Sequence, residues 1–263
     1  MDKELRIIIS GGGTGGHIFP AVSIANALRQ MRPEAKILFV GAEGRMEMQR
    51  VPAAGYEIKG LPIKGFDRRH LLKNISVVWH LLKSLRMARH IIKDFRPMVA
   101  VGVGGYASGA TLYACARMGI PCLIQEQNSY AGVTNKLLAK DVDVVFAASA
   151  AAVEKLGAPE KTLVVGNPVR PEILNRDRAA ARAAVHAGDR TVILSFGGSL
   201  GARRINEVVA ELCAWEQAND LPVLHLHATG SRGVKLFEDL EAKNHFAPGA
   251  NLVVKEYIDN MPD

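Results

Sequence analysis

The chain has 263 residues, 48% apolar and 22% charged, with a net charge of +7. A packed core in one large or two ordinary domains is expected, and the basic balance favours anionic partners: phosphates, nucleic acid or an acidic membrane face. The composition excludes other classes. No window approaches ~18 uninterrupted apolar residues, so no transmembrane helix is expected. The apolar run after "MDKEL" is too short for a signal peptide, and Cys115, Cys122 and Cys213 have no metal-like spacing and read as reduced thiols of a cytosolic protein.

Strands are predicted at 5–10, 36–41, 98–103, 121–125, 142–147 and 161–165, and again at 191–196, 222–228 and 251–256. Helical patterns lie between them, at 17–31, 71–94, 108–118 and 203–218. This alternation predicts parallel sheets covered by helices, the doubly wound α/β plan, which binds ligands beyond the carboxyl ends of its strands.

The first strand runs into "GGGTGGHIFP" (11–20). Glycine admits positive φ and leaves room for a ligand. A helix start adds unpaired N–H groups and partial positive charge, so strand, glycine loop and helix together form a site for phosphate. Gly11-x-Gly13-x-x-Gly16, with Glu43 after the second strand, also fits a nicotinamide-dependent oxidoreductase. The layout recurs: "IIISGGGTGGHIFPAVSIANAL" (7–28) and "VILSFGGSLGARRINEVVAEL" (192–212) share it, and "GVGGYASG" (102–109) adds a third loop, with Ser108 as a candidate cap. "VVGNPVRPEIL" (164–174), with two prolines, reads as a linker. The expected division is 1–165 and 166–263, two Rossmann-like halves each carrying its own anion loop and facing a cleft.

Residues 64–96 hold nine Lys/Arg against Asp67 and Asp94. Leu71, Leu72, Ile75, Val78, Trp79 and Leu82 recur at helical spacing, flanked by Arg68, Arg69, Lys73, Lys83 and Arg86. Such a helix suits either an anionic membrane surface or a core-facing position with solvated charges. Beyond Leu85 the stripe drifts, which predicts a kink or a second helix. Nucleic-acid binding is disfavoured, because no aromatic platform accompanies the charge. A non-catalytic membrane-associated protein is the reading that uses this stretch alone.

Five motifs in order, "GGGTGGHIFPA", "GVGGYASG", "QEQNSYAGVTNKLLAK" (125–140), "VVGNPVR" (164–170) and "GGSLGARRIN" (197–206), resemble the MurG family of peptidoglycan-precursor N-acetylglucosaminyltransferases. The resemblance implies the GT-B fold, two Rossmann-like domains with the second incomplete here. It implies inverting transfer of GlcNAc from UDP-GlcNAc to lipid I, the undecaprenyl-diphosphate-linked acceptor, giving lipid II at the cytoplasmic face of the bacterial plasma membrane. It also implies residue roles. Thr14, Gly15 and Gly16 would lie near the donor sugar and acceptor diphosphate, with His17 as general base, a role that suits a neutral imidazole. Tyr106 would serve the acceptor side and Asn128 the donor GlcNAc, with Glu126 an alternative base or orienter. Arg170 and Ser199 would face the donor, Ser199 at its diphosphate, and Ile258 would hold the uracil. No cofactor and no metal are expected, since no DxD-like acidic pair is placed for one. Two departures stand out: Gln125 replaces the family's usual histidine in the "HEQN" box, and Leu200 stands where glutamine is common. The chain also ends where the family continues, so it reads as a truncated form expected to bind UDP-GlcNAc poorly.

Overall fold

The structure is a computed structural model describing residues 4–65, 74–175 and 177–258. It divides into two compact units, Met1–Arg170 and Pro171–Asp263. The first holds β1 (Arg6–Ser10), α1 (Gly15–Met31), β2 (Lys36–Ala42), α2 (Glu47–Ala53), β3 (Glu57–Leu61), α3 (Asn74–Phe95), β4 (Val99–Gly102), α4 (Tyr106–Arg117), β5 (Cys122–Glu126), α5 (Val133–Leu138), β6 (Val144–Ala147), α6 (Ala150–Leu156) and β7 (Thr162–Val164). Its seven strands run in the order β3-β2-β1-β4-β5-β6-β7, all parallel.

The pleat splits the apolar strands between two cores. Ile7, Ile9, Ile37 and Phe39 pack with Ile18, Ala21 and Ala25 of α1 and Val51 of α2. Ile8, Leu38, Val40 and Ile124 pack with α3, α4, α5 and α6 through Ala88, Ile92, Leu112, Leu138 and Leu156. Burial on both faces explains why β1 and β2 read as unbroken apolar runs. The strand order reverses between β1 and β4, the switch point where doubly wound sheets place their ligands.

Several expectations are corrected. Strand β3 was not expected: as an edge strand it buries only Leu61, and its Glu57 and Lys59 pair with each other at 3.0 Å. Ser108 does not cap α4. That helix begins at Tyr106 with Gly105 at the cap, which leaves Ser108 buried inside it. No second helix follows Leu85: α3 runs unbroken to Phe95. Its exposure changes along its length. Val78, Trp79 and Leu82 are exposed, at 55%, 69% and 58%, whereas Ala88 and Ile92, further along the helix, are buried. Val78, Trp79 and Leu82 of that stripe therefore face solvent, and the later turns of α3 hold it to the core through Leu85, Ala88 and Ile92. Leu71, Leu72, Arg68, Arg69 and Lys73 lie outside the described residues.

The second unit holds α7 (Pro171–Leu174), α8 (Arg178–Ala184), β8 (Thr191–Phe196), α9 (Arg203–Ala218), β9 (Val223–Ala228), α10 (Val234–Asn244) and β10 (Leu252–Lys255). Its strands run parallel in the order β10-β9-β8. Val209, Ala210 and Cys213 of α9 close its core with Phe237, Phe246 and Leu252.

Candidate active site

The loop after β1 is held open by a buried carboxylate. Glu47, at the start of α2, accepts from Gly13 N at 2.9 Å and from Ala42 N at 3.0 Å. Its side chain fills the space where a Cβ on Gly12 or Gly41 would stand, so both positions need glycine. Thr14 caps α1 through its extended backbone (φ −147°, ψ 159°), and Thr14 and Gly16 remain exposed beside the first turn. The amides that open a helix have no partner within it, so this end is free to meet an anion.

His17 lies in that first turn, half-buried, with Nδ1 2.9 Å from the Gly12 carbonyl. A carbonyl can only accept, so Nδ1 carries the proton and the neutral ring keeps its lone pair on Nε2. Nε2 faces the second loop: a Cβ built on Gly104 would lie 2.9 Å from it. The two loops of this unit touch directly. Gly105, at φ 90° and ψ 166°, brings its Cα so close to Gly12 that a Cβ would sit 2.7 Å from the Gly12 carbonyl oxygen. Gly105→Ala is expected to cost roughly 2 kcal/mol of backbone strain and to push the loops apart as well. Gly119→Ala is the control, since Gly119 has φ 70° and open space around its Cβ position. Melting temperatures of the two variants separate loop contact from strain, and equal losses would mean that the contact contributes nothing.

The "QEQN" segment follows β5. Glu126 is 1% exposed and accepts four hydrogen bonds: from Asn128 N and Nδ2 on Oε1, and from Gly132 N and Asn135 Nδ2 on Oε2, at 2.9–3.0 Å. Its acceptor sites are filled, so it is built to hold a loop and is poorly placed to take a proton. Asn128 is exposed. Gln127 Nε2 reaches the Val103 carbonyl at 2.9 Å, tying this segment to the second loop. Gln125 donates to Asn167 Oδ1 at 3.2 Å, and Asn167 Nδ2 donates to the Gln127 carbonyl. "GNPVR" is thereby laced to "QEQN". The Arg170 guanidinium lies 5.0 Å from the centre of the Phe19 ring, on the same helix as His17. Tyr106 is half-exposed at the start of α4, its ring against Gly65.

The first unit thus gathers Thr14, Gly15, Gly16, His17, Tyr106, Glu126, Asn128 and Arg170 on connected loops. In the second unit Ser199 lies in the loop before α9, where Gly198 (φ 81°) and Gly201 (φ 78°) turn the chain. Ile258 lines a cavity of about 830 Å3 together with Arg178, Arg182, Arg190, Leu194 and Lys255, and Ser199 is not among its lining residues.

Residues 7–147 match the glycosyltransferase family 28 N-terminal domain, more than half of the chain. The chain belongs to glycosyltransferase family 28. This family 28 chain is 60% identical over 226 residues to the UDP-N-acetylglucosamine–N-acetylmuramyl-(pentapeptide) pyrophosphoryl-undecaprenol N-acetylglucosamine transferase of Bacteroides thetaiotaomicron, covering 84% of this chain and 60% of the relative. It is 58% identical over 264 residues to the transferase of the same name from Bacteroides fragilis, covering 98% and 67%. The chain therefore spans about three-fifths to two-thirds of the length of these relatives. Among solved structures, Acinetobacter baumannii MurG superimposes with a TM-score of 0.62 at 26% identity, over 98% of this chain and 68% of that one. A UDP-GlcNAc 2-epimerase from Neisseria meningitidis, bound to UDP-GlcNAc, gives 0.64 at 15% identity over 98% and 74%, a likeness of fold alone. The fold is GT-B, and family membership takes the Gly11–Gly16 loop out of the oxidoreductase reading.

Sequence reasoning missed Glu47, Gln127, Asn135 and Asn167. Each makes its contact outside its own element, and a lone polar residue in the sequence announces no such contact.

Proposed function

We propose that this chain carries the acceptor side and part of the donor side of an inverting N-acetylglucosaminyltransferase. It would move GlcNAc from UDP-GlcNAc to lipid I at the cytoplasmic face of the plasma membrane. The carrying observation is His17, with Nδ1 tied to the Gly12 carbonyl and Nε2 left basic between two glycine loops. The acceptor C4 hydroxyl attacks the anomeric carbon, the bond to the UDP oxygen breaks, and the hydroxyl proton passes to His17 Nε2. Amides at the start of α1 meet diphosphate charge, Arg170 and Ser199 serve the donor diphosphate, Asn128 accepts from the GlcNAc, Ile258 packs on the uracil, and Tyr106 orients the acceptor. Glu126 holds the loop that carries Asn128. The reacting centre needs no metal, because amides and Arg170 supply the positive potential. The relatives' shared name supports the substrates. Transfer of labelled GlcNAc to a lipid I analogue tests the reading, with this chain compared against a form extended to the relatives' full length. Absence of transfer by both would overturn it.

Membrane docking is assigned to α3. Among the described residues no helix is long and apolar enough to cross a membrane. The exposed Val78, Trp79 and Leu82 share α3 with the exposed Lys83, Arg86 and Arg89. An apolar face beside cations suits anionic lipid. Replacing Trp79 and Leu82 together by alanine is expected to weaken binding to phosphatidylglycerol vesicles at least ~10-fold, at ~1.5 kcal/mol of apolar burial per side chain. Unchanged sedimentation with vesicles would remove α3 from the docking surface.

A further inference from the structure

The second unit contains a cluster that glycosyl transfer does not use. Cys213 and Glu216 lie one turn apart on α9, and His225 faces them from β9. All three are buried, His225 completely. Three ligand atoms crowd one ring nitrogen: His225 Nδ1 is 3.6 Å from Cys213 Sγ and 3.2 and 2.9 Å from the two Glu216 carboxylate oxygens. One Nδ1 proton can be shared by the Glu216 carboxylate, which leaves the Cys213 sulfur beside it without that proton. The thiol, carboxylate and imidazole atoms lie within 4.8 Å of one another.

We infer that Cys213, Glu216 and His225 form a structural site for a zinc-like divalent cation. Zinc takes sulfur at about 2.3 Å and imidazole nitrogen at about 2.0–2.1 Å, and a tetrahedral angle then sets those atoms about 3.5 Å apart, close to the separation here. With one Glu216 oxygen engaged, the three residues supply three ligand atoms, and a water completes the tetrahedron. Two further features fit. The outer ring nitrogen, His225 Nε2, lies 2.8 Å from Ser195 Oγ, which in turn lies 2.8 Å from His227 Nδ1. A metal on Nδ1 places the ring proton on Nε2, where it donates to Ser195, the outer-shell bond that orients a ligating histidine. There is also an entry path. A cavity of about 230 Å3 is walled by Cys213 and Glu216 and rimmed by the exposed Gln217, Asp220 and Asn251. Such an ion would pin α9 to β9 and so brace the strand that leads, through Ser195, into the loop of Ser199. This site is separate from the metal-free transfer proposed above and does not depend on it.

The test is metal titration of the chelator-stripped, reduced, tag-free chain. One equivalent of cobalt(II) is expected to bind with tetrahedral d–d bands and a thiolate charge-transfer band. Cys213→Ser should abolish the charge-transfer band, and His225→Gln should lose stoichiometric binding. Cys115→Ser, which alters a buried thiol in the first unit, should keep both. Zinc should raise the melting temperature of the parent and of Cys115→Ser only. A chain that takes up no cobalt, or a charge-transfer band that survives Cys213→Ser, overturns the site. The cluster is then a hydrogen-bonded Glu216–His225 pair, which nitrogen NMR would show as a proton on His225 Nδ1.

Discussion

Under the proposed function, replacing His17 with alanine in a form of this chain extended to the relatives' full length is expected to lower GlcNAc transfer by about 10²–10⁴-fold while leaving UDP-GlcNAc affinity within a few-fold. The reasoning rests on which nitrogen is free. The Gly12 carbonyl accepts from Nδ1, so Nε2 alone can take a proton. Alanine removes both functions, the base and the bond that braces the loop. His17→Asn separates them. The asparagine amide can donate to the Gly12 carbonyl much as Nδ1 does, but it offers no basic nitrogen where Nε2 stood. Asparagine should therefore restore loop stability and leave turnover as low as alanine does. Near-normal turnover in His17→Asn, measured as GlcNAc transfer under saturating donor, would move the base elsewhere.

Much of this arrangement was legible in the chain, for an identifiable reason. Short apolar runs alternating with helical stripes are a local signal, and β1, β2, β4 and β8 follow from it. The glycine loops are legible because only glycine suits Gly12 beside the Glu47 carboxylate or Gly105 against the Gly12 carbonyl. What escaped depends on contacts between distant segments. Glu47 braces a loop 34 residues away. Asn167 reaches back 42 residues to Gln125. Strand β3 escaped because an edge strand with Glu57 and Lys59 turned outward carries little apolar signal. The α3 stripe was visible, but its direction was not: periodicity shows that a face is apolar and is silent on whether core or solvent lies against it.

Glu126→Ala is expected to destabilise the first unit by about 3 kcal/mol, because it strands the buried donor Asn135 Nδ2 and the part-buried Gly132 N and releases Asn128. For a unit of this size that corresponds to a fall of roughly 6–12 °C in melting temperature. Glu126→Gln should do nearly as much harm, since its amide nitrogen would confront donors where the carboxylate accepted from them. Hydrogen exchange should quicken across 127–135 in both variants, and GlcNAc transfer should fall through weaker donor binding, Asn128 no longer being held. The alternative role makes an opposite prediction. Were Glu126 the general base, the isosteric glutamine would abolish turnover with the melting temperature and donor affinity intact. The four donors converging on its two oxygens favour the first result. A base whose lone pairs are already committed must break native hydrogen bonds before it can accept a proton, whereas His17 Nε2 has no such bond to break.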